Sequence, residues 1–235
     1  NGNCPLIVRS TSEDLLTSNV FGVLKNLDPN VWLPRLLGEA IKGKDFGQES
    51  FKSLSFEFWK KLKPPTGRIQ REGRSEIDLV ISYDDTVIFI EAKYLASVSL
   101  RTTHDAYRDQ VIRYLDLAAH HVLVCQKESR KFYLILIEDT EKPPWVLQRY
   151  RQPRNIATGL ADLGFFGDKE DICKRLSEGI GWLSWAIIQD LLSRVREDFK
   201  TDVEKRFIDD LNSYLGYKIR EAERIRNERK QLNLW

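Results

Sequence analysis

The stretch Glu76-Ile-Asp-Leu-Val-Ile-Ser-Tyr-Asp-Asp-Thr-Val-Ile-Phe-Ile-Glu-Ala-Lys-Tyr94 decides how the chain is read. Two runs rich in β-branched and aromatic residues, 76–83 and 86–94, flank the pair Asp84-Asp85, the pattern of an antiparallel hairpin. Strand side chains alternate faces with period two, so Glu76 and Asp78 share a face, as do Glu91 and Lys93. With a two-residue turn Tyr83 pairs with Thr86, and counting back sets Asp78 opposite Glu91 and Glu76 opposite Lys93. Directly opposed Cβ atoms lie about 5 Å apart. Two carboxylates at that distance repel unless a cation sits between them. With a lysine beside them to position or stabilise a hydroxide, they outline a metal-dependent hydrolytic site. Everything rests on the register: Asp-Asp is not the favoured Asn-Gly or Asp-Gly of a primed turn, and a one-residue slip would part the two acids.

Outward from the hairpin, apolar spacing predicts a helix over 10–27 with Ser12 as N-cap, ended by Asp28-Pro29. A shorter helical piece over 32–41 and a strand over 54–59 follow. The loop Lys63-Pro-Pro-Thr-Gly67 precedes the hairpin. Beyond it the pattern predicts a helix over 105–119, strands over 121–125 and 131–138, and two helices over 170–195 and 201–229, with no strand after Pro143-Pro144. The order implies an α/β fold, one central mixed sheet flanked by helices. Residues 1–158 form the expected core, and 159–235 a helical extension packed on that core or forming an oligomer interface, as in a homodimer.

The 235 residues suit one large domain, with 31% charged residues but a net charge of only +2. Bulk charge therefore announces no nucleic-acid binder, but its distribution does more. Residues 52–74 hold seven Lys or Arg against two acids. That basic approach to an acidic hairpin would attract a phosphate backbone, with Lys60, Lys61, Lys63, Arg68, Arg71 and Arg74 as candidate DNA contacts; a solvated loop is the plainer reading. Cys4, Cys125 and Cys173 are scattered and odd in number, which fits a reducing cytosol. No apolar run could span a bilayer and no signal peptide is evident, so a cytoplasmic protein without membrane contact is expected.

Three further features extend the hairpin. Glu13 and Asp14 open the first helix. Gln110 and Tyr114, spaced i and i+4, share one face of a later helix. The apolar run Tyr133-Leu-Ile-Leu-Ile137 follows. With Asp78 and Glu91-Ala92-Lys93, this order resembles the PD-(D/E)xK nuclease superfamily, which has a restriction-endonuclease-like core. The match covers roughly Ser12 to Glu138. Gln110-Val-Ile-Arg-Tyr114 is similar to the Q-xxx-Y motif of its helicase-associated nucleases, and Ile77 stands where the name has proline. The resemblance implies hydrolysis of phosphodiester bonds in nucleic acid, chiefly DNA, in defence, restriction or repair. Asp78 and Glu91, the Ala92 carbonyl and more weakly Glu13 would ligate a metal. Oxygen-only ligation favours Mg²⁺ or Mn²⁺. Lys93 would orient water or stabilise charge on the phosphate, and Gln110 and Tyr114 would bind substrate or brace the lysine and the ligands. The alternative is a catalytically silent domain of the same fold that binds nucleic acid or protein.

Three plainer readings stand beside the site. Glu76 could form an ion-pair ladder with Lys93, or pair with another cation. The pair His120-His121 has no Cys or His nearby to complete a metal site, so local capping is expected. The apolar cluster around Trp182 and Trp185 reads as core.

Overall fold

The computed structural model describes residues 12–47, 51, 53–63, 74–99, 108–124, 130–160 and 169–232. Five strands form one mixed sheet in the order β1-β2-β3-β4-β5. They are β1 Ser55–Leu62, β2 Ser75–Tyr83, β3 Thr86–Ala92, β4 Lys131–Glu138 and β5 Ile180–Ser184. The first three run antiparallel to their neighbours, whereas β3, β4 and β5 are parallel.

Helices cover both faces. Helices α1 (Glu13–Leu24) and α2 (Pro29–Ala40) pack on one face with α7 (Trp185–Val195) and α8 (Asp202–Gln231). Their apolar residues meet Leu79, Ile81, Ile88, Ile90, Ile135 and Ile137. The other face, with Val80, Val87, Phe89, Leu134 and Leu136, is covered by α3 (Gln110–Ala118), α4 (Trp145–Tyr150), α5 (Pro153–Gly159) and α6 (Lys169–Glu178). Strand β3 has every residue buried, as a strand covered on both sides must. Among the described residues no helix is long and apolar enough to cross a membrane.

Local chemistry sets the boundaries. Ser12 caps α1 by accepting from the Leu15 amide, as its position before the apolar stripe predicts. Helix α1 ends at Leu24, ahead of the Asp28-Pro29 expected to stop it; that dipeptide starts the next helix, with Asp28 as cap of α2 and Pro29 in its first turn. Thr201 and Glu204 form a reciprocal capping box at the start of α8.

Two sequence expectations are corrected. The strand expected over 121–125 is absent through Val124. There α3 continues as a π-helical segment, Ala119–Val124, which buries Val122 and Leu123. Nor is 170–195 one helix: α6 ends at Glu178, β5 adds to the sheet beside β4 as its last strand, and Ser184 then caps α7. The C-terminal part is therefore not helical alone. It completes the sheet and covers both faces, and the long helix α8 closes it.

Glycine makes β5 possible. A Cβ on Gly179 would lie 2.3 Å from the Phe132 carbonyl oxygen, and one on Gly181 would lie 3.0 Å from that of Ala40. Only a residue without a side chain lets the backbone come so close to β4 and α2. Gly179→Ala is expected to destabilise the protein by about 2 kcal/mol or more, because rigid backbone must shift. Urea denaturation checks this; an unchanged midpoint would argue against the seating of β5 on β4.

Candidate functional site

The register required by the sequence is the one found. Tyr83 pairs with Thr86 across the two-residue turn, and the ladder continues to Leu79 opposite Ile90. Asp84 takes a left-handed conformation, φ 44°, which lets Asp-Asp serve as the turn. One step further along, the same register sets Asp78 across from Glu91, whose side chain lies on the face covered by α3. The Asp78 carboxylate accepts from the Ala92 amide at 2.8 Å. Ala92 sends its small side chain into the core on the opposite face.

Glu91 is the centre of the constellation and is only 3% exposed. Its Oε1 accepts from Gln110 Nε2 at 2.6 Å and its Oε2 from the Tyr114 hydroxyl at 2.6 Å. The second Gln110 amide hydrogen goes to the Tyr114 oxygen at 2.8 Å. The i, i+4 spacing on α3 thus delivers two donors to one carboxylate. The helix is fixed by Asp109, which caps the Ile112 amide at 2.9 Å and accepts from the Tyr150 hydroxyl at 2.7 Å. Gln110 and Tyr114 therefore brace an acid, one of the two roles the sequence left open.

Lys93 lies 2.5 Å from Glu91 Oε1 and 3.0 Å from Glu13 Oε1. Glu13 Oε2 accepts from the Tyr94 amide at 3.0 Å, so Glu13, rather than Asp14, is the inward acid of α1. Both its oxygens hold the lysine segment. The Lys93 backbone is pinned as well: its amide donates to the Ile137 carbonyl at 2.7 Å, and its carbonyl accepts from the Trp185 indole at 3.1 Å. Asp139 accepts from the Leu95 amide at 3.0 Å.

Sequence reasoning missed Glu138, Asp139 and the role of Trp185. Ala92 pairs with Ile137, so the parallel register continues to Lys93 beside Glu138, an acid only 2% exposed. The available signal was an acid closing an otherwise apolar strand. The partner strand lies about forty residues away, and its register is invisible locally.

Burial dominates the electrostatics. It raises the Asp78 pKa to about 7, with repulsion from Glu91 adding to the effect and the Ala92 amide opposing it. Burial also raises Glu91, against the pull of Lys93 and Tyr114, and it raises Glu138. For Lys93 burial disfavours the ammonium, but Glu91 and Glu13 outweigh it and hold the pKa above the ordinary lysine value. Burial, reinforced by the carboxylate of Glu91, raises Tyr114 and keeps it a hydroxyl donor.

The other candidate residues are dispersed. Glu76 pairs with Lys61 at 3.0 Å and not with Lys93, which ends the ladder alternative. Lys60 pairs with Glu57 at 2.6 Å. Lys63 and Arg74 are exposed beside the paired strand ends Leu62 and Ser75. Arg68 and Arg71 lie outside the described residues. His121 contacts the Lys63 carbonyl at 2.9 Å and packs edge-on against His120. Among the described residues no group of three or more His, Cys, Asp or Glu side chains is arranged to hold a metal ion. Asp78 and Glu91 are the two carboxylates that register brings together, with Ala92 between Glu91 and Lys93. Comparisons with family models, curated proteins and solved structures find no match to the chain.

Two outcomes follow from this geometry. Tyr114→Phe removes a donor from a buried carboxylate and should cost about 1–3 kcal/mol in urea denaturation. Asp78 has a folded-state pKa above its unfolded value, so its ionisation takes stability away as pH rises from about 4 to about 7. Asp78→Asn keeps an acceptor for the Ala92 amide and removes the charge. Measured without divalent ions, its melting temperature should match wild type near pH 4 and exceed it by a few degrees above pH 7. A constant difference across this range would contradict the assignment.

Proposed function

We propose that the chain is a metal-dependent nuclease of the PD-(D/E)xK kind, hydrolysing phosphodiester bonds in DNA. The observation that carries this reading is the placement of Asp78, Glu91 and Lys93 at one end of the sheet in the register the motif requires. Folding alone does not call for three carboxylates, Glu13, Asp78 and Glu91, around a single ammonium.

The donor chemistry suits a hard divalent cation. Asp78 and Glu91 offer carboxylate oxygens, and the set contains neither thiolate nor imidazole, which favours Mg²⁺ or Mn²⁺. Three carboxylates surround one lysine, and the Asp78 pKa, raised mainly by burial and further by repulsion from Glu91, marks a site whose charged form a bound cation would stabilise. Asp78 and Glu91 would hold the ion, with the Ala92 carbonyl alongside. Glu13 belongs to the lysine instead, since both its oxygens are engaged there. When bound, the ion would polarise the phosphate and promote ionisation of the attacking water.

The chain's own residues would do the rest. Lys93 stays an ammonium and can donate to a phosphate oxygen as negative charge grows during attack at phosphorus. Its pinned backbone limits the positions its head group can sample. Gln110 and Tyr114 fix the rotamer of Glu91 and so its direction toward the substrate.

A second reading is a domain of this fold that binds nucleic acid or protein without cleaving it. It is favoured by the completeness of the Glu91 contacts, since each oxygen already has a partner.

Incubation with single- and double-stranded DNA and with RNA in Mn²⁺ or Mg²⁺ separates the two. The nuclease reading expects cleavage that EDTA abolishes, and a fall of at least about a hundredfold in Lys93→Ala and in Asp78→Asn. Divalent ions should also raise the melting temperature of wild type in a concentration-dependent way, and that of Asp78→Ala far less. Binding without cleavage would favour the second reading; cleavage that survives Lys93→Ala would place the activity elsewhere.

A further inference from the structure

Trp59 sits where a folding argument alone would not put it. It lies within β1 with φ 52°, a left-handed conformation that bulky L-residues rarely adopt. It is 40% exposed although tryptophan is among the most apolar side chains. β1 is an edge strand, with β2 on one side and no further strand on the other among the described residues. The register flanking Trp59, Phe58 with Leu79 and Lys60 with Ile77, sets it across from Asp78. Opposed residues in an antiparallel pair hold their Cβ atoms about 5 Å apart. The register thus puts the Trp59 backbone across from that of Asp78, and the Trp59 ring is solvent-facing.

Its surroundings suit a nucleic acid. The Phe58 ring lies 5.4 Å from that of Trp59, tilted by 39°. Lys60 and Lys61 follow directly, and Lys63 and Arg74 are exposed at the paired ends of β1 and β2. Lys60 and Lys61 each hold a carboxylate, Glu57 and Glu76, at the surface, partners that a phosphate can displace at little cost. An exposed aromatic ring amid cations is the recurrent arrangement for holding single-stranded nucleic acid, with a base on the ring and phosphates on the cations. Left-handed strain at an exposed aromatic points the same way, since strain of this kind persists where a side chain must be aimed.

We propose that Trp59 is a stacking platform for an unstacked nucleobase one position from the phosphate held at Asp78, Glu91 and Lys93. The proposal builds on the nuclease reading for its geometry, but the binding it describes needs no cleavage. It assigns the β1–β2 arm to substrate positioning and favours single-stranded or locally opened substrate, because a paired base cannot present its face.

The test uses the full chain and a fluorescein-labelled single-stranded oligodeoxynucleotide, with affinity read by anisotropy in EDTA so that cleavage cannot intervene. Trp59→Ala should bind about tenfold more weakly, and Trp59→Phe should recover most of the loss. Because the side chain is exposed, both variants should melt within about 2 °C of wild type. An abasic nucleotide moved along the oligonucleotide should weaken wild type at one position, and that loss should vanish in Trp59→Ala, the signature of a direct contact. Equal affinity of wild type and Trp59→Ala, no such position, or no binding by wild type would each overturn the proposal. Cleavage assays in Mn²⁺ separate it from the nuclease reading. Cleavage together with Trp59-independent binding overturns the platform and leaves the nuclease; Trp59-dependent binding without cleavage does the reverse.

Discussion

One buried carboxylate organises the centre of this protein. Glu91, next to last in a strand covered on both faces, is removed from water almost completely. An isolated ion there would cost several kcal/mol, so its surroundings have to supply what water no longer does. They do so from three elements. Helix α3 contributes an amide and a hydroxyl one turn apart, β3 contributes Lys93 two residues on, and α1 contributes Glu13 to hold the lysine. The pitch of α3, its Asp109 cap and the position of α1 are all constrained by this single anion. Shifting any of them would leave a buried charge without its partners, an outcome more costly than loss of an ordinary surface contact.

Asp78 is the acid this network does not satisfy. Lys93 is already shared between Glu91 and Glu13, and the hydrogen bond to Asp78 comes from the Ala92 amide. Burial, with repulsion from Glu91 added, raises its pKa beyond what the Ala92 amide and Lys93 offset. A sequence under selection for stability alone would gain by placing Asn at this position. A half-buried acid at the end of a sheet, costly to the fold on its own, is the residue on which the proposed metal site depends.

How much of this was legible in the sequence depends on the range of the signal. The hairpin could be read because period-two alternation and a two-residue turn fix register without outside information. The α3 pair could be read because four residues of helix bring Gln110 and Tyr114 to one face. Strand β5 was hidden. Its five residues lie between helical stretches, and Ile180, Leu183 and Ile187 have helix-like spacing. The decisive fact, the close approach of Gly179 to β4, is a tertiary one. The segment after Ala118 misled in the opposite sense. Its run His-Val-Leu-Val favours a strand by composition, yet the helix continues there as a π-segment, burying Val122 and Leu123. Glu138 and Trp185 escaped for a third reason: each meets Lys93 through packing of elements far apart in the chain.

The location of the site follows from the seam in the sheet. β3, β4 and β5 run parallel, so Glu91, next to last in β3, and Glu138 and Ser184, which end β4 and β5, gather at the same edge. Carboxyl ends of parallel strands are where open sheets of this class gather ligand-binding groups, because the connections leave there and the edge stays open. A parallel set alone would bring acids from strand ends only. β2 runs the opposite way and enters at this edge, so Asp78 reaches the site from near the start of its strand. The same reversal extends β1 and the start of β2 past the edge as a two-stranded arm. The mixed topology thus does two things with one hairpin: it sets Asp78 across from Glu91, and it carries the β1 segment from Trp59 to Leu62 along the start of β2. A purely parallel sheet with the same residues at its strand ends would have neither the facing acid nor the arm.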